Sequence, residues 1–480
     1  MYAARADHEL ARRGVLAIAT KVAPGLATLA INLLIGRVGG AALLGLTQTA
    51  TSTATLVALL YPAPAAAAAS RFVSAAVAEG SNDRAMRIAS YLARRVLLAT
   101  AGFVVAILVG AAIFRVLDES IIQVTGVITL GISLRIFIEG LHFGGGEGRR
   151  LAQWSVAVGI FGVLCTGALL LVGVRSPWVI APMAIANLLF VAFSWPISSA
   201  FRFSKAERSG IHQFIWIGTV GTLASAGFAQ ATTLVAIATV GVVFAGEYAA
   251  GLTLTTPLSI LAVAVSATLF PALSALTAGK ATTRVRSHII DATSLMVTIM
   301  GSATCVLFIL AEPLIALIWG PGFERTSWIV LFLITSVFAT AVAVPSVTSL
   351  TSSSNAGMKI SALSSLTGAA VGVFFWIATI PWSAEIGVML GCMVASVLSA
   401  SIPYAIVWKQ YKLAWSGQTL ALLMLLIGSW SFALMLQSDI LPALLTPIVA
   451  VGALSVWIIL RRRDLHRMWV ILSSLRRLVS

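Results

Sequence analysis

Charge is what this sequence has least of. Of its 480 residues 10% are Asp, Glu, Lys or Arg, against 59% hydrophobic, and the mean hydropathy is +1.01. A water-soluble domain of this length cannot leave so much apolar surface in solvent, so the composition excludes that class and implies a polytopic membrane protein. Cysteine is nearly absent: Cys165, Cys305 and Cys392 lie inside apolar runs with no CxxC or paired spacing, which argues against a disulfide framework or a zinc centre. No metal or cofactor is expected. Long polar loops are missing as well. Every connection is too short to fold alone, so a membrane-embedded polysaccharide polymerase or glycosyltransferase would have nowhere to carry its acid, base or metal ligands, and an enzyme is not expected. GGGEGRR at 144–150 lacks the GK[ST] ending of a phosphate-binding loop and reads as a turn.

Where charge does occur, it is basic, with 31 Lys and Arg against 16 Asp and Glu. The cations lie in short clusters between apolar runs, among them Arg71 to Arg95, Arg149 and Arg150, Arg202 to Arg208, Lys280 to Arg286, and Lys409 with Lys412. That is the pattern of membrane topology rather than of a nucleic-acid surface. At about 20 residues per crossing, spans fall near 14–36, 42–64, 89–114, 120–141, 151–173, 176–199, 213–238, 245–270, 288–311, 326–350, 358–380, 386–408, 416–436 and 440–460. The expected fold class is an all-α polytopic membrane protein of about 14 transmembrane helices, with the bilayer as its surroundings. Both termini are expected to be cytoplasmic. Continuous runs rather than alternation exclude a barrel. The first span is expected to be retained, because MYAARADHELARRG shows no cleavable leader. The tail RRRDLHRMWVILSSLRRLVS has apolar residues at helical spacing and is expected to lie on the inner membrane surface.

A repeat runs through the chain. GAALLGLTQTATSTAT from residue 40 has its counterpart in VVFAGEYAAGLTLTTP from residue 242, and SRFVSA from 70 in FPALSA from 270. An offset of about 200 residues spans six helices and keeps both copies in the same orientation. The expected architecture is therefore two parallel-repeat six-helix lobes plus two C-terminal helices: 1–200, 201–412, and 413–480 with the amphipathic tail. Two facing lobes suit alternating access, which points to a transporter.

Polar residues inside the spans mark the expected cavity. Lys21, Gly25, Thr28 and Asn32 share one face of the first helix, and a kink is expected at Pro24, which lacks an N–H. Lys21 sits about 8 residues, roughly 12 Å, from the inner end, farther than its stem comfortably snorkels, so a watery cavity is expected around it. The second span carries Thr47, Thr51 and Thr55, with Gln48 and Ser52 beside them; the seventh carries Thr219 and Gln230, the eighth Thr253 and Thr256. For any one threonine, bonding to its own helix is the commoner role. Arg135 and Glu139 stand at i, i+4, a spacing that fits either a local ion pair or a functional pair. Glu247 and Asp291 lie near helix ends, where solvation is expected. With no carboxylate expected in mid-span, the deepest charge is positive and an anionic ligand is preferred.

LLIGRVGGAALLGLTQ, ASRFVSA and PLIALIWGPGFE at 313–324 resemble segments of the polysaccharide-exporter branch of the multidrug/oligosaccharidyl-lipid/polysaccharide exporter superfamily, a likeness extending over nearly the whole chain. The resemblance implies a flippase in a bacterial plasma membrane that moves a polyprenyl-pyrophosphate-linked oligosaccharide to the outer leaflet, with glycan-assembly proteins as partners and a coupling ion left open. It adds Arg37 and Arg135 to Lys21 as the cations of a pyrophosphate site, alongside Asn32, Gln48, Thr51, Gln230 and Thr253. The drug-exporting branch of the superfamily, coupled to a cation, is the alternative. A buried carboxylate in either lobe would favour it.

Overall fold

A computed structural model of the chain describes residues 20, 22–114, 119–196, 205–278, 282–353, 355–437 and 446–462, and among these there is helix and short turn but no strand. Long apolar runs in lipid must pair their backbone groups internally, and the helix does that within one segment. In chain order the helices are α1 (22–34), α2 (Gly40–Leu60), α3 (Pro62–Ala78), α4 (Asn82–Phe114), α5 (Glu119–Gly145), α6 (Gly148–Leu171), α7 (Ala181–Ser194) and α8 (Lys205–Thr222). They continue as α9 (Phe228–Thr239), α10 (Val242–Ala278), α11 (Thr282–Ile318), α12 (Thr326–Ser353), α13 (Asn355–Thr379), α14 (Ala384–Gln410), α15 (Ser416–Gln437) and α16 (Thr446–Leu460). Two π-helical turns, Ile35–Gly39 and Leu223–Gly227, join α1 to α2 and α8 to α9. Joining α2 to α3 and α8 to α9 gives fourteen helical rods among the described residues, as the sequence implies, and eleven stretches are long and apolar enough to span a bilayer.

The first of those stretches, Val22–Leu60, has 39 residues, about 58 Å of straight helix and roughly twice the hydrocarbon thickness. Gly40, at φ 79°, leaves the helical region there and redirects the chain, a conformation that glycine adopts without strain. Several helices also overshoot their apolar windows at the basic end: α4 begins at Asn82, α10 runs to Ala278 and α11 begins at Thr282. An apolar window measures the hydrocarbon, whereas a helix continues for as long as its polar residues can face water.

Two compact units divide the chain, Met1–Thr253 and Leu254–Ser480. In the first, α3 packs on α4, α5 and α8, and the core gathers Leu92, Phe137, Ile138, Leu151, Phe190, Ile211 and Ile215. The alanine run of α3 is the means: Ala65, Ala68 and Ala69 are fully buried, and a side chain added at Gly140 of α5 would strike the carbonyl of Ala66. Small residues on both helices let the backbones meet, the packing that works in lipid where no hydrophobic force draws helices together. In the second unit α12, α13 and α14 pack in sequence, and α15 and α16 dock on α11. Trp457 of α16 covers Gly301 and donates from its indole N–H to the carbonyl of Thr298 at 3.1 Å. Large apolar side chains such as Leu171, Phe193, Phe374 and Trp382 stay exposed, as a lipid-facing surface requires.

Candidate functional site

The starts of α2 and α10 meet within the first unit. A Cβ on Gly45 would strike the carbonyl oxygen of Val242, and one on Gly246 would strike that of Ala41. Gly45 and Gly246 thus each leave room for the backbone of the other helix, so α2 and α10 cross in close contact. A glycine of positive φ stands at the start of each helix, Gly40 at 79° and Gly241 at 121°.

Glu247 follows this crossing and is 3% exposed. The sequence placed it near a helix end and therefore in solvent; the structure corrects that. Its position along α10 is as expected, but the close approach at Gly45 and Gly246 wraps the first turns of α10 in neighbouring backbone, and depth along a helix does not measure that coverage. Glu139 of α5 is buried too, at 8%. Neither lies in mid-span, in keeping with where the sequence placed them, but both are covered by neighbouring helices rather than left in solvent. Asp291 is exposed, accepting from Ser287 Oγ at 3.3 Å.

One turn and a half beyond Glu247, Thr253 accepts from Asn32 Nδ2 at 3.1 Å and donates to its own helix at the Ala249 carbonyl, 2.8 Å. Two residues read separately from the sequence are thereby joined, α1 to α10. The threonines of α2 behave differently. Thr47 donates to Leu44 O, Thr51 to Thr47 O and Thr55 to Thr51 O, all at 2.8–3.0 Å, so each hydroxyl proton goes to its own helix. Gln48 is half-buried and reaches Ser52 at 3.4 Å.

The seventh-span stripe does not survive as one face. Thr219 is buried and donates to the Leu60 and Ile215 carbonyls, Ala226 is exposed and Gln230 is half-buried. The π-turn Leu223–Gly227 lies between them. One inserted residue rotates everything beyond it by about 100° relative to an unbroken helix.

Arg135 is held by a partner the sequence did not suggest. Its Nη1 donates to Asn187 Oδ1 at 3.1 Å, and Glu139, one turn along, supplies the opposing charge. Asn187 is almost fully buried; a lone amide in the apolar run IANLLF was the available signal. Arg37 sits exposed in the first π-turn. Lys21 lies outside the described residues.

Among the described residues, helix throughout and eleven stretches fit to cross a bilayer define a polytopic membrane fold. Comparison with solved structures makes the fold specific. The chain aligns with an inward-facing multidrug-resistance MATE family transporter of the MOP superfamily at a TM-score of 0.66 and 12% identity, over 81% of this chain and 94% of that one. An outward-facing transporter of the same description aligns at 0.58 and 13%, over 84% and 95%. A MOP superfamily transporter from Pyrococcus furiosus, described as having a binding pocket of reversed polarity that suggests a different function, aligns at 0.59 and 12%, over 84% and 95%. No protein-family model and no curated protein sequence matches the chain. The fold is that of the MATE transporters.

Proposed function

We propose that this chain is a secondary transporter that exports amphipathic organic cations by alternating access, in exchange for an inward-moving proton or sodium ion. The observation that carries this reading is Glu247, a carboxylate buried where two repeat helices meet. An ionised carboxylate in such surroundings costs several kcal/mol unless hydrogen bonds or a positive charge compensate it. A buried carboxylate that can bind either of two cations makes substrate and coupling ion compete, and that competition is how transport couples to a gradient. The MATE fold supports the same reading. Expression in cells deprived of their own exporters tests it: efflux of ethidium should rise, and Glu247→Gln should return efflux to background at equal membrane abundance. Efflux in Glu247→Gln equal to that of the unchanged protein would remove the carboxylate from the mechanism.

Arg135, bound to Asn187 inside the first unit, favours a second reading, the lipid-linked oligosaccharide flippase of the sequence resemblance. A guanidinium matches a pyrophosphate in charge and in the geometry of its N–H fork. Under this reading, deleting the gene leaves a lipid-linked glycan on the cytoplasmic face while ethidium efflux is unchanged.

A further inference from the structure

At the basic end of the first unit, α3, α4 and α8 assemble a group of cations that the site above does not use. Arg71 of α3 lies with Cζ 5.0 Å from the ring centre of Phe214 on α8 and 5.7 Å from that of Phe72, and the two rings meet edge-on at 6.0 Å. Arg95 of α4 lies 5.2 Å from the ring centre of Tyr91, whose hydroxyl is hydrogen-bonded to His212 Nε2 of α8 at 2.9 Å. Arg95 and Arg208 are the charges that bear on His212. All three arginines are exposed, and among the described residues none forms an ion pair.

A guanidinium resting on an aromatic face is oriented by the ring and keeps its N–H edges open, the arrangement suited to a phosphate. Arg95 and Arg208 both act on the His212 imidazole and repel one another, and an anion beside them relieves that repulsion. Along α8, Arg208, His212, Trp216 and Val220 follow at four-residue steps, so the cationic row passes directly into an apolar one. Trp216 is 68% exposed and Val220 53%, and Leu98 stands exposed on α4 one turn beyond Arg95. The ligand that fits has a phosphate at one end and hydrocarbon at the other. We propose that Arg71, Arg95, Arg208 and His212 form a binding site for the phosphate headgroup of a membrane lipid, whose chains lie along the apolar faces of α4 and α8.

Native mass spectrometry of the purified full-length protein with added phosphatidylglycerol tests this. The paired variant Arg71→Gln/Arg95→Gln should bind the lipid roughly tenfold to thirtyfold more weakly, as about 1 kcal/mol per surface cation implies. Arg149→Gln/Arg150→Gln, which alters an equally exposed basic pair on α6, should bind as the unchanged protein does. Arg71→Lys/Arg95→Lys should recover part of the loss. If the paired variant misfolds, Arg208→Gln alone should still weaken binding severalfold. Equal lipid affinity in the unchanged protein and the folded variants overturns the site. Inorganic phosphate binding as tightly as the lipid overturns the lipid assignment in favour of a soluble anion.

Discussion

At the scale of single residues, the polar groups divide by what holds them. The threonines of α2 spend their protons on their own backbone, whereas Asn32 and Arg135 reach across to other helices. The Arg135–Asn187 bond lies between α5 and α7, so it should appear as coupling. A double-mutant cycle of Arg135→Met and Asn187→Leu, followed by thermal unfolding in detergent, should give about 0.6–1.7 kcal/mol, the range for hydrogen bonds between helices in membranes. Additive effects would mean the bond contributes nothing. The sequence made Arg135 visible because a cation in an apolar run is rare. It did not make Glu247 visible as buried, because exposure depends on Gly45 from a helix 200 residues away, and no local pattern encodes that neighbour.

At the scale of helices, close approach decides what each change does. Gly246→Val puts two methyl groups against the carbonyl of Ala41, and the forced separation of α10 from α2 should cost about 1–3 kcal/mol. Gly102→Ala on α4 meets nothing within 4 Å and should be neutral or stabilising by up to about 1 kcal/mol. Both are read as shifts in thermal midpoint in detergent. Trp457→Ala opens a cavity between α16 and α11 and releases the bond to Thr298, and should lower stability by about 3–5 kcal/mol. Trp382→Ala, at a side chain 90% exposed, should leave the midpoint nearly unchanged. Helix positions were legible because apolar runs of bilayer length can form little else. The π-turns were not legible, since one inserted residue leaves composition untouched while rotating the face beyond it. PLIALIWGPGFE shows the opposite case. Gly320 and Gly322 take φ of 80° and 89° in the turn after α11, Trp319 and Phe323 pack at 6.0 Å, and the Gly322 N–H donates to the Glu324 carboxylate at 2.9 Å, holding its pKa below the ordinary carboxylate value. The second half of this motif is thus a turn whose glycines and paired aromatic rings build local structure.

At the scale of the whole molecule, composition was sufficient for a helical polytopic membrane fold, and substrate polarity was what the sequence left open. Sequence reasoning counted charges by their position along each span and found only cations deep in the membrane. Burial depends on which helices close over a residue, and that adds Glu139 and Glu247 to the account. Cation-coupled export through Glu247 is therefore the central claim. The direct test is ethidium uptake into proteoliposomes under an imposed sodium or proton gradient directed against it. The unchanged protein should accumulate ethidium until an ionophore collapses the gradient, and Glu247→Gln should accumulate none while remaining folded. Gradient-driven accumulation that persists in Glu247→Gln, or movement of a lipid-linked pyrophosphate in place of ethidium, would contradict the account.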